Sequence, residues 1–268
     1  MSTDTNYVKT YTLDNAAVGE RDRLRLVEAA WDPGSIAHFE RLGVTEGSHA
    51  LMVAGGGGSL VEWITRRVGP TGRVLATDLD PRHLLALAER YEQLEVLQHN
   101  IVTDPLPRGD FDFAHTRLLL AHLPERREVI AKLAAAVKPC GHVMLEDFDA
   151  GSFGPAYVSE AAAKIRDASA AFLSASGYDH LTGRRLAGWM RAAGLEDVDA
   201  HGSVLTMRGS APTVAPMYLG TFRYQKQQMI DAGIVTEADA DALEARYADP
   251  DYDGLAHTMM TAWGRRAA

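Results

Sequence analysis

Ala50-Leu51-Met52-Val53-Ala54 runs directly into Gly55-Gly56-Gly57-Gly58, and Ser59 to Val68 follows with Leu60, Trp63 and Ile64 spaced for one helical face. A short apolar run that stops at glycines and resumes with helical spacing predicts strand, tight turn, helix. A turn without side chains lets a ligand lie against backbone, while the helix behind it offers free N–H groups and positive potential. The next β-rich run, Arg73 to Thr77, follows the turn Gly69-Pro70-Thr71-Gly72 and stops at Asp78, twenty residues beyond Gly58. An acid at the end of a second strand can accept hydrogen bonds from both hydroxyls of a ribose. Asp80, just ahead of Pro81, suits the cap of the following helix and leaves Asp78 for a ligand. Together these features predict an adenosine-type ligand. A dinucleotide fingerprint would need a third glycine where Val61 stands, and no phosphate-binding loop ending in Gly-Lys-Ser/Thr is present, so nicotinamide cofactors and ATP or GTP hydrolysis find no support.

Outward from this unit the alternation continues. A helix is expected from Pro81 to about Tyr91, strands at Leu94–Gln98 and Phe111–His115, a helix over Leu118–Val137 and a strand at His142–Phe148. Strands alternating with helices imply a Rossmann-like, doubly wound, mostly parallel α/β sheet. Two helices precede it, over Arg21–Trp31 and Pro33–Leu42. Beyond Asp149 helices are expected at Tyr157–Ser174 and Leu181–Ala193, the second closed by Gly194, then a strand at Val198–Met207. A helical stretch, Ala211–Tyr247, separates that strand from a last β-run at His257–Trp263, so the sheet is expected to have seven strands and to close with an antiparallel hairpin interrupted by a helical insertion.

The 268 residues, 46% of them hydrophobic, suffice for a full core. The single cysteine, Cys140, rules out an intramolecular disulfide and a cysteine-cluster zinc site, which suits a reducing cytoplasm. Met1–Thr12 is polar and no run of eighteen apolar residues occurs, so neither export by a signal peptide nor membrane insertion is expected. A net charge of −9 opposes phosphate-backbone binding and makes a small molecule the default partner rather than nucleic acid. A homodimer stays open.

Five ordered blocks resemble the class I S-adenosylmethionine-dependent methyltransferases, in particular the bacterial small-molecule branch attached to natural-product pathways. They are Leu51–Ser59, Val74–Asp80, His99–Ile101, Phe111–Arg117 continuing through His122–Arg126, and Val137–His142. The resemblance implies a single methyltransferase domain over 1–268: an N-terminal helical cover (1–48), a cofactor-binding core (49–149) and substrate-side helices with the insertion and closing hairpin (150–268). It implies S-adenosylmethionine as cofactor and S-adenosylhomocysteine as product. Gly56 and Gly58, in one turn with Ala54 and Gly55, would pack against its methionine and ribose, and Asp78 would hold the ribose hydroxyls. Leu79, Asn100 and Ile101 would surround the adenine. His115 and Arg117 would lie near the methionine end, and Tyr11 and Arg23 would help to cover it. The sequence departs from the family at Met52, where an acid is usual, at Ala54 and Cys140, where glycines are usual, and at Asn100, where aspartate is frequent.

Methyl transfer from a sulfonium needs an in-line nucleophile and little besides positioning. A hydroxyl acceptor gains from a base near neutral pH, for which His115, His122 and Glu146 are the candidates, with packing along the sheet edge as the alternative for both histidines. Glu146, Asp147 and Asp149 could cap a loop or hold a metal, and with no further ligands identifiable no metal site is assigned. Tyr218, Phe222 and Tyr224, with Met217 and Met229, could line an apolar pocket or form core. O- or N-methylation of a small metabolite is the expected activity. The alternative is a non-methylating relative, either a cofactor-bound cyclase-like enzyme or a regulatory binding protein.

Overall fold

The computed structural model describes residues 15–17, 19–107, 110–152, 160–208 and 214–268, with side chains at all of these except 152, 160–166 and 169. Nine strands occur among them: β1 (His49–Val53), β2 (Arg73–Asp78), β3 (Leu94–Gln98), β4 (Phe111–Arg117), β5 (Val137–Asp149), β6 (Leu195–Ser203), β7 (Thr206–Arg208), β8 (Asp253–Leu255) and β9 (Thr258–Arg266). Seven form one sheet in the order β3-β2-β1-β4-β5-β9-β6, and β7 pairs with β8 alone. β1 to β5 are mutually parallel, while β9 runs antiparallel to both neighbours. The sheet is the Rossmann-like one expected from the sequence, including the interrupted closing hairpin.

Alternation along β1 and β2 decides which residues face which layer. Leu51, Val53 and Leu75 join a buried cluster with Ile130 and Leu133 of α4 (Arg126–Ala136) and with Leu186 and Met190 of α6 (Thr182–Ala192). Ala50, Met52, Val74 and Ala76 join the opposite cluster with Phe39 of α1 (Glu20–Arg41) and Val61, Ile64 and Val68 of α2 (Ser59–Val68). Period-two strands between helix layers are what the sequence pattern required. The other α-helices among the described residues are α3 (Leu85–Ala88), α5 (Glu160–Ala175), α7 (Val214–Asp231) and α8 (Glu237–Ala248).

Several boundaries differ from expectation. α1 is one helix of 22 residues that passes through Pro33, because Val27, Trp31, Ser35, His38 and Phe39 continue one buried face across it. That packing outweighs the lost hydrogen bond of an internal proline. The helix expected from Pro81 is only a 3-10 turn at Pro81–His83, capped by Asp80 as anticipated, followed by α3. β5 starts at Val137 rather than His142, with an irregularity opposite Phe111–Phe113 that accommodates the Pro139-Cys140-Gly141 corner. Met207 leaves the main sheet for β7. The beginning of the helix expected from Tyr157 lies outside the described residues, as does Tyr11. Among the described residues no helix is long and apolar enough to cross a membrane.

Candidate active site

A cavity of about 620 Å³ lies at the C-terminal ends of the parallel strands, within the ~300–1,000 Å³ usual for small-molecule sites. Its wall gathers Ala54, Gly55, Gly56, Asp78, Leu79, Asn100, Ile101, His115, Arg117 and His122. These side chains come from the ends of different strands, and the parallel sheet delivers all of them to one edge.

The glycine turn is held closed by Gly58 N–H donating to Gly55 O at 3.1 Å, and Gly55 N–H donating to Thr77 O at 3.1 Å. Gly56 has φ +56°, and a Cβ added there would meet no atom nearer than 4.0 Å, so any side chain would stand in the cavity itself. Gly57 faces α1, where a Cβ would collide with Arg21 and Glu28. Gly58, expected to touch a ligand, is not in the cavity wall: its φ is +96° and a Cβ would lie 2.9 Å from Leu87 Cδ1. Its role is to start α2 and to let the α3 segment pack closely.

Ala54, in the position where the family carries glycine, has φ +57°, and Cys140, the other glycine replacement, has φ +63°. Both side chains are strained in the left-handed region that favours glycine.

The Asp78 carboxylate accepts from Gly56 N–H and Asp80 N–H, each at 3.0 Å, and Asn15 Nδ2 lies 3.4 Å away. It therefore fastens the glycine turn to the end of β2 as well as facing the cavity. Burial pushes its pKa up from the ordinary Asp value, against the pull of those amides. Asn100 Oδ1 accepts from Val102 N–H at 3.0 Å, which directs the side-chain acceptor to its own turn. Met52, in place of an acid, is 2% exposed and packs in the α2-side cluster.

Charge reaches the turn from α1 instead. Glu28 Oε1 accepts from Ser59 N–H, the first residue of α2, at 3.3 Å, and Arg21 Nη1 donates to Gly57 O at 2.7 Å. A carboxylate there meets the positive end of the helix. Glu20 and Arg23, paired at 2.7 Å, line the same wall.

Beneath the cavity runs a buried polar network. His115 Nε2 lies 2.9 Å from Glu146 Oε2, which also accepts from Ser35 Oγ at 2.6 Å, while Glu146 Oε1 accepts from Thr261 Oγ1 at 2.8 Å. Arg117 donates to the same Ser35 Oγ at 2.9 Å and to Asp32 Oδ1 at 2.7 Å. Burial alone would raise the Glu146 pKa, but the hydrogen bonds from His115 and Ser35 and the charge of Arg117 hold it at about 2. Burial lowers His115, outweighing the opposite pull of Glu146. The pair is thus a carboxylate and a neutral imidazole donating Nε2–H, which leaves Nδ1 as the basic nitrogen. Glu146 itself is absent from the cavity wall, so its place is behind His115 rather than against a substrate.

His122 ends a 3-10 turn, Leu120–His122, with its ring edge-on to Tyr178 at 4.7 Å. Burial, then the charge of Arg23, lowers its pKa to about 4. Asp147 accepts from Ala121 N–H and Phe148 N–H, each at 2.9 Å, and fixes that turn; burial raises its pKa to about 7. Asp149 pairs with Arg184 at 2.8 Å. The three acids at the end of β5 therefore serve three separate places, and among the described residues no group of potential metal ligands forms.

The cavity continues to a second end built by α7, α8 and the segment before β8. Met217, Tyr218 and Phe222 line it as anticipated, joined by Gln225, Leu243, Arg246, Tyr247, Tyr252 and His257, which no local pattern singled out. Met229 is core against Phe222, Val235 and Leu243, and Tyr224 is not in the wall.

A family model for a methyltransferase domain matches residues 46–200, more than half of the chain. The chain belongs to the class I S-adenosylmethionine-dependent methyltransferases. The chain is 31% identical over 109 residues to the ubiquinone/menaquinone biosynthesis C-methyltransferase UbiE of Ralstonia pickettii. That match covers 39% of this chain and 45% of the relative, so it spans less than half of the relative's length. Among solved structures, the 1,6-didemethyltoxoflavin-N1-methyltransferase of Burkholderia thailandensis is similar with a TM-score of 0.58 and 17% identity, over 100% of this chain and 92% of that one. The [4+2]-cyclase SpnF is similar with a TM-score of 0.56 and 15% identity, over 88% and 81%. At those identities the two structures speak for the fold of the chain alone.

Proposed function

We propose that this chain binds S-adenosylmethionine along the glycine turn and transfers its methyl group to a small molecule held between that turn and α7–α8. The observation that supports this best is one cavity whose wall runs from Gly56 and Asp78 to Tyr218 and Tyr252. The residues fit the cofactor: Gly56 leaves backbone exposed where a side chain would obstruct, and Asp78 offers a carboxylate at the end of β2. Asp78 would hold the ribose hydroxyls, Leu79, Asn100 and Ile101 the adenine, and the α1 charges Glu20, Arg23 and Glu28 would face the amino-acid end. When bound, the cofactor supplies a methyl group already activated on sulfur.

The chain's own work is then positioning and proton removal. Neutral His115, oriented by Glu146, belongs to the cavity wall and would offer Nδ1 as its basic nitrogen, while Arg117 is fixed by Asp32 and Ser35. His122, lowered by burial to about 4, is also neutral at pH 7. A base of this kind serves an acceptor hydroxyl, or a ring carbon activated by an ionised hydroxyl. The likeness to a C-methyltransferase widens the expected O or N acceptor to carbon and does not favour secondary metabolism over quinone chemistry.

A second reading is a reaction that needs the cofactor without consuming it, favoured by the likeness to the cyclase SpnF and by the departures at Met52 and Ala54. Mass spectrometry of S-adenosylhomocysteine formed with an acceptor panel separates the two. Product formation that disappears in His115→Ala supports methyl transfer. Acceptor conversion without S-adenosylhomocysteine supports the second reading.

A further inference from the structure

The α7–α8 end of the cavity is aromatic but not uniformly apolar. Tyr218, Phe222, Tyr247 and Tyr252 supply flat walls, and Tyr218 Oη already accepts from His257 N–H at 2.8 Å. Into this wall α8 places Arg246, whose guanidinium carbon lies 4.7 Å from the centroid of the Tyr252 ring. Its Nε is buried without a hydrogen-bond partner. Among the described residues no carboxylate forms an ion pair with it. Gln225 of α7, 3% exposed, lines the same space, and its amide makes no hydrogen bond among the described residues. The other charged side chain in this part of the wall, Asp167 of α5, is exposed to solvent.

A guanidinium held against an aromatic ring by its face keeps its in-plane N–H groups directed outward, and a buried donor without an acceptor is unfavourable until a ligand supplies one. Two unpartnered polar groups among tyrosines therefore specify the complement: a flat ring system bearing an oxygen that accepts from both. We propose that this end is an acceptor subsite for planar aromatic molecules carrying an ionised oxygen, a carboxylate or phenolate, with Arg246 as its counter-charge and Gln225 as the second contact. The subsite deepens the methyltransferase reading by naming the acceptor class, and it rests on that reading only for what lies at the glycine turn.

The test uses the full chain and two probes of equal shape, 2-naphthoate and the uncharged 2-naphthamide, titrated by calorimetry with and without S-adenosylhomocysteine. The wild type is expected to bind naphthoate about tenfold or more tightly than naphthamide, the difference a charged hydrogen bond supplies. In Arg246→Met the preference disappears while naphthamide affinity stays within about twofold; in Gln225→Leu it is reduced but not abolished. Thermal melting of each variant checks folding. Equal affinity for the two probes in the wild type, no binding of naphthoate, or a preference untouched in Arg246→Met overturns the subsite. A naphthoate preference in a protein that does not bind S-adenosylhomocysteine upholds the subsite and removes the cofactor reading instead.

Discussion

The two ends of the cavity are built in opposite ways. At the glycine turn, backbone does the recognition: Gly56 stands open, amides of Gly56 and Asp80 converge on Asp78, and side chains within the turn are nearly absent. At the α7–α8 end the wall is side chain throughout, with tyrosines, Phe222, Arg246 and Gln225 delivered by helices. A backbone site accepts little variation and fixes one ligand shape, whereas a wall of side chains changes its acceptor with a few substitutions. Substitutions at one end should therefore leave the other nearly untouched, and the predictions below are ways to break that independence.

The largest effect belongs to the buried network around Glu146. Glu146→Leu strands His115, Ser35 and Thr261 without their shared acceptor and removes the carboxylate charge near Arg117. Removing one partner of such a buried charged cluster costs about 3–5 kcal/mol. Urea denaturation should show a loss of this size, and a loss below about 1 kcal/mol would mean that the network is not formed in solution.

Second, Tyr252→Ala should raise the acceptor KM by about tenfold or more, the effect of losing one aromatic wall, and leave S-adenosylhomocysteine affinity unchanged. Equal losses at both sites would break the comparison.

The pH dependence separates the groups beneath the cavity. The folded pKa of His122, about 4, lies below its ordinary 6.5, so its contribution to stability is complete above 6.5 and lost as the pH falls toward 4. Asp147 has the opposite sign: its folded pKa, about 7, lies above the ordinary 3.8, so its contribution is complete below 3.8 and lost as the pH rises through 7. Asp147→Asn should accordingly flatten the fall in melting temperature between pH 3.8 and about 7, and His122→Phe the fall below pH 6.5. Unchanged profiles in both variants would contradict the burial that displaces these groups.

The smallest effects come from the backbone. Ala54→Gly and Cys140→Gly each relieve a positive φ and should stabilise by about 0.5–1 kcal/mol after the added chain entropy of glycine. Ala54→Gly, at the turn, should also tighten cofactor binding slightly, whereas Cys140→Gly, far along β5, should not.

The contrast between the two ends also explains what the sequence revealed. β1, the glycine turn, α2 and Asp78 are contiguous or joined through one parallel neighbour, so period and spacing located them. The five-block resemblance then placed Leu79, Asn100, Ile101, His115 and Arg117 at the same edge. Glu28 reaches Ser59 from 31 residues away, and Arg246 and Tyr252 meet the cavity only because the insertion folds back over it, so no local signal marks them. Gly58 and Glu146 show the converse limit. The motif gives their positions in the chain, but what each packs against, α3 for Gly58 and the His115 network for Glu146, is set by packing that a motif does not contain. Pro33 likewise reads as a helix boundary, and only the continuous buried face of α1 overrides it.

The central claim, that the turn and Asp78 form a nucleoside site, is tested most directly by calorimetry of S-adenosylmethionine and S-adenosylhomocysteine with the wild type and Asp78→Ala. Both ligands are expected to bind the wild type. In the variant, loss of a charged hydrogen-bond acceptor should weaken them by about 10- to 100-fold, with Tyr252→Ala unaffected as the control. A folded wild type that binds neither ligand at about 1 mM, or an Asp78→Ala variant that binds both as well as the wild type, would contradict the account.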